Sequence, residues 1–308
     1  MSEAAPELMD LHGVEVVDTF AEAFPMWAAR VVITAETDGW AAEAGRSMTG
    51  FATSVIGCKC EAGIERVLGR EETPDGRPGV AALLLAVGRD GLAKRLVERV
   101  GQCVLTCPTT ACFNGLDSDE TVDVGGRVRY FGDGYQASKV IGGRRFWRVP
   151  VMEGEFLVEE RFGVVEGVGG GNLIVLGADA AGALRAAEAA VEAMRAIEGV
   201  VLPFPGGIAR SGSKVGSRYS ALRASTNEPL CPTLRALLAD TQVPEGVGSV
   251  LEIIVDGLGF EPIREAMGVG LEAAARAGAV RITAGNYGGE LGPHHFHLRE
   301  LVERASGG

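Results

Sequence analysis

Two hydrophobic periods alternate along the chain, and together they predict its elements. Arg30 to Ala35 (RVVITA) is a β-branched run, and an Ala-rich helical stretch from Trp40 to Met48 follows it. Asn172 to Gly177 (NLIVLG) repeats the arrangement and leads into Asp179 to Glu198. There Leu184, Ala187, Val191, Met194 and Ile197 recur three or four residues apart, with Gly199 placed to end the helix. A second pair of units matches as well. Val80 to Val87 reads as a strand, Asp90 caps a helix carrying Leu92, Leu96 and Val100, and Gln102 to Thr106 reads as a further strand. Its counterpart is the strand Val247 to Val255, then a helix with Pro262 near its start and Ile263, Met267, Leu271 and Ala274 on one face. Val280 to Thr283 closes that unit.

Each half therefore reads β-α-β followed by β-α-β, the mark of an internal duplication. That order predicts an α+β fold of two similar ferredoxin-like (split βαβ) lobes, 1–150 and 151–308, each with insertions. A doubly wound parallel sheet is the competing topology. The halves meet around Arg144 to Val151, and the insertions are Asp117 to Gly143 and Pro203 to Thr233. Long irregular stretches inside a compact fold point to function.

Composition narrows the classes. With 46% hydrophobic and 23% charged residues the chain is an ordinary globular one, and its 45 glycines imply many turns and close backbone approaches. A net charge of −12 argues against nucleic acid, which needs a basic face. No apolar run reaches the roughly 18–20 residues of a membrane span. Met1 to Asp10 lacks the basic start and apolar centre of a leader, and six cysteines are too few for a disulfide scaffold, so the cytoplasm is the expected compartment.

Candidate chemistry is sparse. Gly207 to Lys214 (GIARSGSK) has the glycines of a phosphate loop but not its Gly-Lys-Ser/Thr order. What it offers is donors and cations on a glycine-rich backbone: Ser211, Ser213, Lys214, Ser217 and Arg218 suit an anionic ligand or simply a solvated loop. Gly167 to Asn172 (GVGGGN) precedes a predicted strand, which fails the dinucleotide test and suggests a closely packed turn. The cysteines lack paired Cys-x-x-Cys spacing, so no structural zinc is expected; Cys103 and Cys107 read as small core residues before nucleophiles. His294, His295 and His297 have no carboxylate at a familiar ligand spacing, and no metal site is assigned. Glu252 stands out as the only ionisable residue within VGSVLEIIV. Either it points to solvent at period two, or both faces of the strand are covered and its carboxyl is desolvated and raised in pKa. A neutral carboxyl can donate to an oxyanion or to a leaving amine.

Ordered strings spread from residue 13 to 292 carry a resemblance. They are GVEVVDTFAEAF (13–24), TGFATSVIGCKCEAGIE (49–65), EETPDGRPGV (71–80), GQCVLTCPT (101–109), YFGDGYQ (130–136), MEGEF (152–156), PFPGGIARSGSKVGS (203–217), ASTNEPLCPT (224–233) and TAGNYGG (283–289). Together they resemble the formylmethanofuran–tetrahydromethanopterin formyltransferase family of methanogenic archaea and methylotrophic bacteria. The resemblance implies two α+β lobes and formyl transfer without a prosthetic group, with methanofuran and tetrahydromethanopterin as substrates. It also implies a homo-oligomer or a subunit of a formyltransferase/hydrolase complex, with the active site in a cleft between lobes. The family's catalytic glutamate carries over onto Glu252. Gly206, Gly207 and Gly285 are candidate oxyanion donors, and Ser213, Lys214 and Arg218 candidates for a carrier's anionic tail. Ser211, Ser225, Thr226, Asn227 and Asn286 complete the substrate-binding set. The rival functions are a non-catalytic pterin-binding or scaffolding subunit and, further off, a nucleotide-binding regulator.

Overall fold

The computed structural model describes residues 7–306; the expectation for the leader region falls in part on residues 1–6, outside the described residues. Contacts group the chain into two compact units, each discontinuous in sequence: residues 1–25, 168–256 and 260–308 form one, 26–167 and 257–259 the other.

The chain opens in the first unit with β1 (Leu8–Leu11) and β2 (Val14–Val17), then enters the long β3 (Phe20–Thr34). The second unit follows with α1 (Asp38–Thr49), the short α2 (Val55–Cys58), β4 (Glu61–Leu68), β5 (Gly79–Ala86), α3 (Arg89–Arg99) and β6 (Ala111–Asn114). Next come β7 (Thr121–Asp123), α4 (Gly125–Val128), β8 (Ala137–Ile141), β9 (Arg144–Val151), β10 (Gly154–Glu159) and β11 (Arg161–Gly163). Strand β12 (Val165–Gly177) carries the chain back. The first unit is completed by α5 (Ala180–Met194), β13 (Val200–Val201), β14 (Lys214–Val215), β15 (Ala224–Ser225), β16 (Ser249–Gly257), α6 (Phe260–Arg276), β17 (Arg281–Thr283), β18 (His294–His297) and α7 (Leu298–Ser306).

Within the second unit a large mixed sheet runs β4-β5-β3-β6-β10-β9-β8. It is antiparallel throughout except for β6 beside β10, where Leu157 faces Ala111 in parallel register. Strand β5, GVAALLLA, is buried at every position because α1 and α3 cover one face and a smaller cluster around Phe113 and Leu68 fills the other. Helix α1 starts where Thr37 Oγ1 accepts the Trp40 N–H at 3.3 Å.

In the first unit the order is β17-β12-β16-β13, with β2 running parallel to β17. Helices α5 and α6 pack their Ala-rich stripes on this sheet around Val191, Met194, Ile263, Met267 and Leu271. Asp179 caps α5, its Oδ1 accepting the Gly182 N–H at 2.7 Å. At Gly270 a Cβ would sit 2.4 Å from Met194 Cε, so the missing side chain is what lets the two helices close up.

Three expectations are corrected. Pairing is largely antiparallel, so the doubly wound parallel alternative fails. Gln102 to Thr106 is not a strand: the chain leaves α3 through a π turn over Val100–Val104, closed by Leu105 N–H donating to Val100 O at 2.9 Å. The strand of that unit is β6, farther on. Finally, GVGGGN lies inside β12. Its glycines are there for close packing, since a Cβ on Gly171 would meet Ile263 Cγ2 at 2.6 Å and Val255 Cγ1 at 3.0 Å.

Candidate active site

Strand β16 decides the site. Its odd positions Ile253 and Val255 enter the α5–α6 core, and Leu251 packs against the same cluster. Its other face is covered too: Val250 lies against a cluster of Ile174, Leu176, Leu230, Val243 and Val247. That cover comes from the irregular stretch after β13, where short turns and the β14–β15 hairpin replace long elements. Glu252 is on this second face. Its strand is locked to the covering segment by a reciprocal pair, Ala209 N–H to Glu252 O at 2.8 Å and Glu252 N–H to Ala209 O at 2.9 Å.

The cover is incomplete and leaves a cavity of about 1120 Å³. Its walls are Phe204–Gly206 and Ala209–Gly212, the Thr226–Asn227 turn, Leu184 and Glu188 from α5, and Ser249–Glu252 from β16. Glu252 is half-buried and lines the cavity. Among the described residues its side chain has neither a hydrogen bond nor an ion pair. Burial alone therefore acts on the carboxyl and pushes its pKa up to about 7. A carboxyl in that state is partly protonated near neutrality.

Of the other candidates, Gly206, Ser211, Thr226 and Asn227 share this cavity with Glu252. The rest are engaged elsewhere in the same unit. Lys214 pairs with Glu228, and in the hairpin it stands opposite Ser225, whose Oγ donates to Gly216 O at 2.7 Å. Arg218 is exposed in the turn of that hairpin, and Ser213 is exposed beside it. Asn286 donates to Thr19 Oγ1 at 2.8 Å. Gly207 gives its N–H to Phe204 O at 2.8 Å, and Gly285 gives its N–H to Asn172 Oδ1 at 2.6 Å.

Two residues that sequence reasoning passed over matter here. Glu22, 1% exposed, accepts four backbone N–H groups from the turn after β17. They are Tyr287 at 2.7 Å and Gly289 at 3.1 Å on Oε2, with Leu291 and, at 2.9 Å, Gly292 on Oε1. Burial opposes ionisation of Glu22, but the four donors prevail and hold its pKa below the usual carboxylate range. Tyr287, fixed in this way, donates its hydroxyl to Ser213 O at 3.2 Å. The only sequence hint was TAGNYGG itself, a glycine-rich turn with several N–H groups to satisfy. The histidines lie along β18 against the start of β3, with the Phe20 and His295 rings 4.6 Å apart. Among the described residues no three His, Cys, Asp or Glu side chains gather as a ligand set.

Comparisons with known proteins agree along nearly all of the chain. A family model described as formylmethanofuran–tetrahydromethanopterin formyltransferase matches residues 9–151, and one described as the proximal lobe of the same enzyme matches 154–301. A formylmethanofuran–tetrahydromethanopterin formyltransferase of Methylococcus capsulatus is 57% identical over 298 residues, covering 96% of this chain and 100% of that protein. One component of the formyltransferase/hydrolase complex of Methylorubrum extorquens is 52% identical, covering 96% and 97%. A crystal structure of the formyltransferase/hydrolase complex from that organism, in complex with methylofuran, superposes with a TM-score of 0.93 at 51% identity, covering 96% of this chain and 99% of that one. The formyltransferase of Methanosarcina barkeri gives 0.91 at 48% identity, covering 95% and 100%.

Proposed function

The chain belongs to the formylmethanofuran–tetrahydromethanopterin formyltransferase family, and from that premise we propose that Glu252 is the acid with which it moves a formyl group between a methanofuran-type amine and tetrahydromethanopterin. It is a formyltransferase of one-carbon metabolism. The attacking amine adds to the formamide carbon, and the carbonyl oxygen becomes an oxyanion. Collapse breaks the bond to the first nitrogen, which must leave with a proton. Protonated Glu252 supplies that proton, and the carboxylate left behind takes the one lost by the attacking amine, so the group returns to its starting state. The protein's larger task is to hold two bulky carriers in register, which removes much of the entropic cost of their encounter. With the Gly207 and Gly285 amides engaged, Gly206 at the cavity wall is the remaining glycine candidate for the oxyanion. Ser211, Thr226 and Asn227 orient the carriers from the same walls. Ser213, Lys214, Arg218, Ser225 and Asn286 act from the rim or through the turns they hold.

The observation that carries this reading is an unpaired carboxyl on a half-buried residue in the wall of a large cavity, with its pKa raised to about 7. Glu252→Gln keeps the shape and removes the proton exchange. Turnover should fall by about 100-fold or more while carrier binding persists. Activity near that of the parent would remove Glu252 from the chemistry.

The strand orders β6-β3-β5-β4 and β17-β12-β16-β13 are the same when counted from β3 in one unit and from β12 in the other. This supports two ferredoxin-like lobes from one duplication, assigned to 1–150 and 151–308. We place the protein in the cytoplasm, without a prosthetic group, as a homo-oligomer or as a subunit of a formyltransferase/hydrolase complex; the name of the Methylorubrum relative favours the second. No helix among the described residues is long and apolar enough to cross a membrane.

A further inference from the structure

The wall of the Glu252 cavity formed by Arg210, Ser211 and Gly212 has little of its own to hold it. Arg210 and Ser211 are exposed, and Gly212 takes the left-handed φ of 53°. The segment is tied at two points. On one side Ala209 is bonded to Glu252 through the backbone. On the other, Ser213 O accepts the Tyr287 hydroxyl. Tyr287 is in turn set by Glu22, a buried carboxylate 265 residues away in sequence that takes the Tyr287 and Gly289 N–H groups on one oxygen. Positive φ at Gly288 (74°) and Gly289 (79°) bends the turn so that successive N–H groups converge on that carboxylate.

From these contacts we infer that Tyr287 is a positioning residue: its hydroxyl clamps the 210–213 wall over the Glu252 carboxyl and keeps bulk water from it, while Glu22 fixes the tyrosine. The inference rests on the reading of Glu252 as the acid and adds what sustains it. A carboxyl without a partner keeps its proton near neutrality only while its surroundings stay poorly solvated. An untethered wall of three small or flexible residues would admit water and return the group toward ordinary acidity. Tyr287 is close enough for the charges to be felt. Burial first, then the Glu252 and Glu22 carboxylates, raise the pKa of its phenol, so it remains a hydrogen-bond donor across the working range. The other ionisable groups at the cavity are Glu188 on α5, Arg210 on the wall itself and Cys231 beyond the Thr226–Asn227 turn.

Tyr287→Phe tests the clamp, since it removes one oxygen and leaves the ring and the Glu22 contacts in place. Two readouts are taken on the folded, full-length protein, with Glu252→Gln run beside it. Amide hydrogen exchange at Ala209 and Glu252, whose paired N–H groups tie the segment to β16, should quicken about tenfold or more. In formyl transfer kcat should drop about tenfold with KM changing less, and the alkaline limb of the kcat–pH profile should move to lower pH. A merely structural loss would not move that limb. Unchanged exchange at Ala209 and Glu252 overturns the clamp whatever the activity. Faster exchange with an unmoved alkaline limb overturns its role in guarding Glu252. Full activity in Glu252→Gln would instead sink the acid assignment, and the exchange result would still decide whether the clamp exists.

Discussion

Glu22→Gln places one nitrogen where a carboxylate oxygen accepts two N–H groups, and the consequence can be worked from the contacts. In the parent, Oε2 serves Tyr287 and Gly289, and Oε1 serves Leu291 and Gly292, around a side chain that is 1% exposed. The amide keeps one pair, loses the negative charge that strengthens it, and points its own donors at the other pair. Hydrogen bonds to charged groups contribute about 1.5–3 kcal/mol each, and the turn is open enough for water to recover part of two of them. A net local loss of about 2–3 kcal/mol follows, which is roughly a 30- to 140-fold rise in the exchange rate of the Tyr287 to Gly292 amides. The pH dependence fixes the cause. Because folding lowers the Glu22 pKa, its contribution is fully present above the unfolded value of about 4.3 and is lost as pH falls through the folded value. The difference between parent and variant should therefore be full at pH 6 to 7 and shrink on acidification below about pH 4. Exchange rates at neutral pH that match the parent, or a difference that persists unchanged at pH 3, would refute the anchoring role.

Further outcomes follow from packing and linkage. Gly171→Ala drives a methyl into Ile263 and Val255, and it should lower unfolding stability by about 1–3 kcal/mol in denaturant titration. Glu252→Gln should gain stability relative to the parent as pH rises from about 4.3 through 7. In that window the unfolded parent has released a proton that the folded parent, with its pKa near 7, still holds. A constant difference across the same range, measured by thermal unfolding, would mean that Glu252 is not perturbed.

Where pattern and packing agree, the elements could be read directly. Helix α6 carries Ile263, Met267, Leu271 and Ala274 on one buried face, as the periodicity required, whereas Asp90 does not cap α3: it lies inside the helix, whose N-cap is Gly88. Glu252 was visible because a lone carboxyl among aliphatics is conspicuous whichever way the strand faces. What its sequence left open was the cover on its second face, which depends on Leu230, Val243 and Val247 in a stretch with almost no regular structure. The short run QCVLT misled because a buried strand and the end of a helix look alike over five residues. The glycines of β12 misled in the opposite sense: they signal close approach by α6 and β16, which only tertiary structure reveals. Glu22 was invisible for a simpler reason. In TFAEAF it is one carboxyl in a short apolar run near the start of the chain, and its four donors lie some 265 to 270 residues downstream.

The proposed chemistry requires the Glu252 carboxyl to hold its proton near neutrality. Titration of that carboxyl carbon by NMR in ¹³C-Glu-labelled protein, assigned by the signal lost in Glu252→Gln, reads it directly. A midpoint near 7 is the expected result. A midpoint near the ordinary glutamate value of about 4.3 would contradict it.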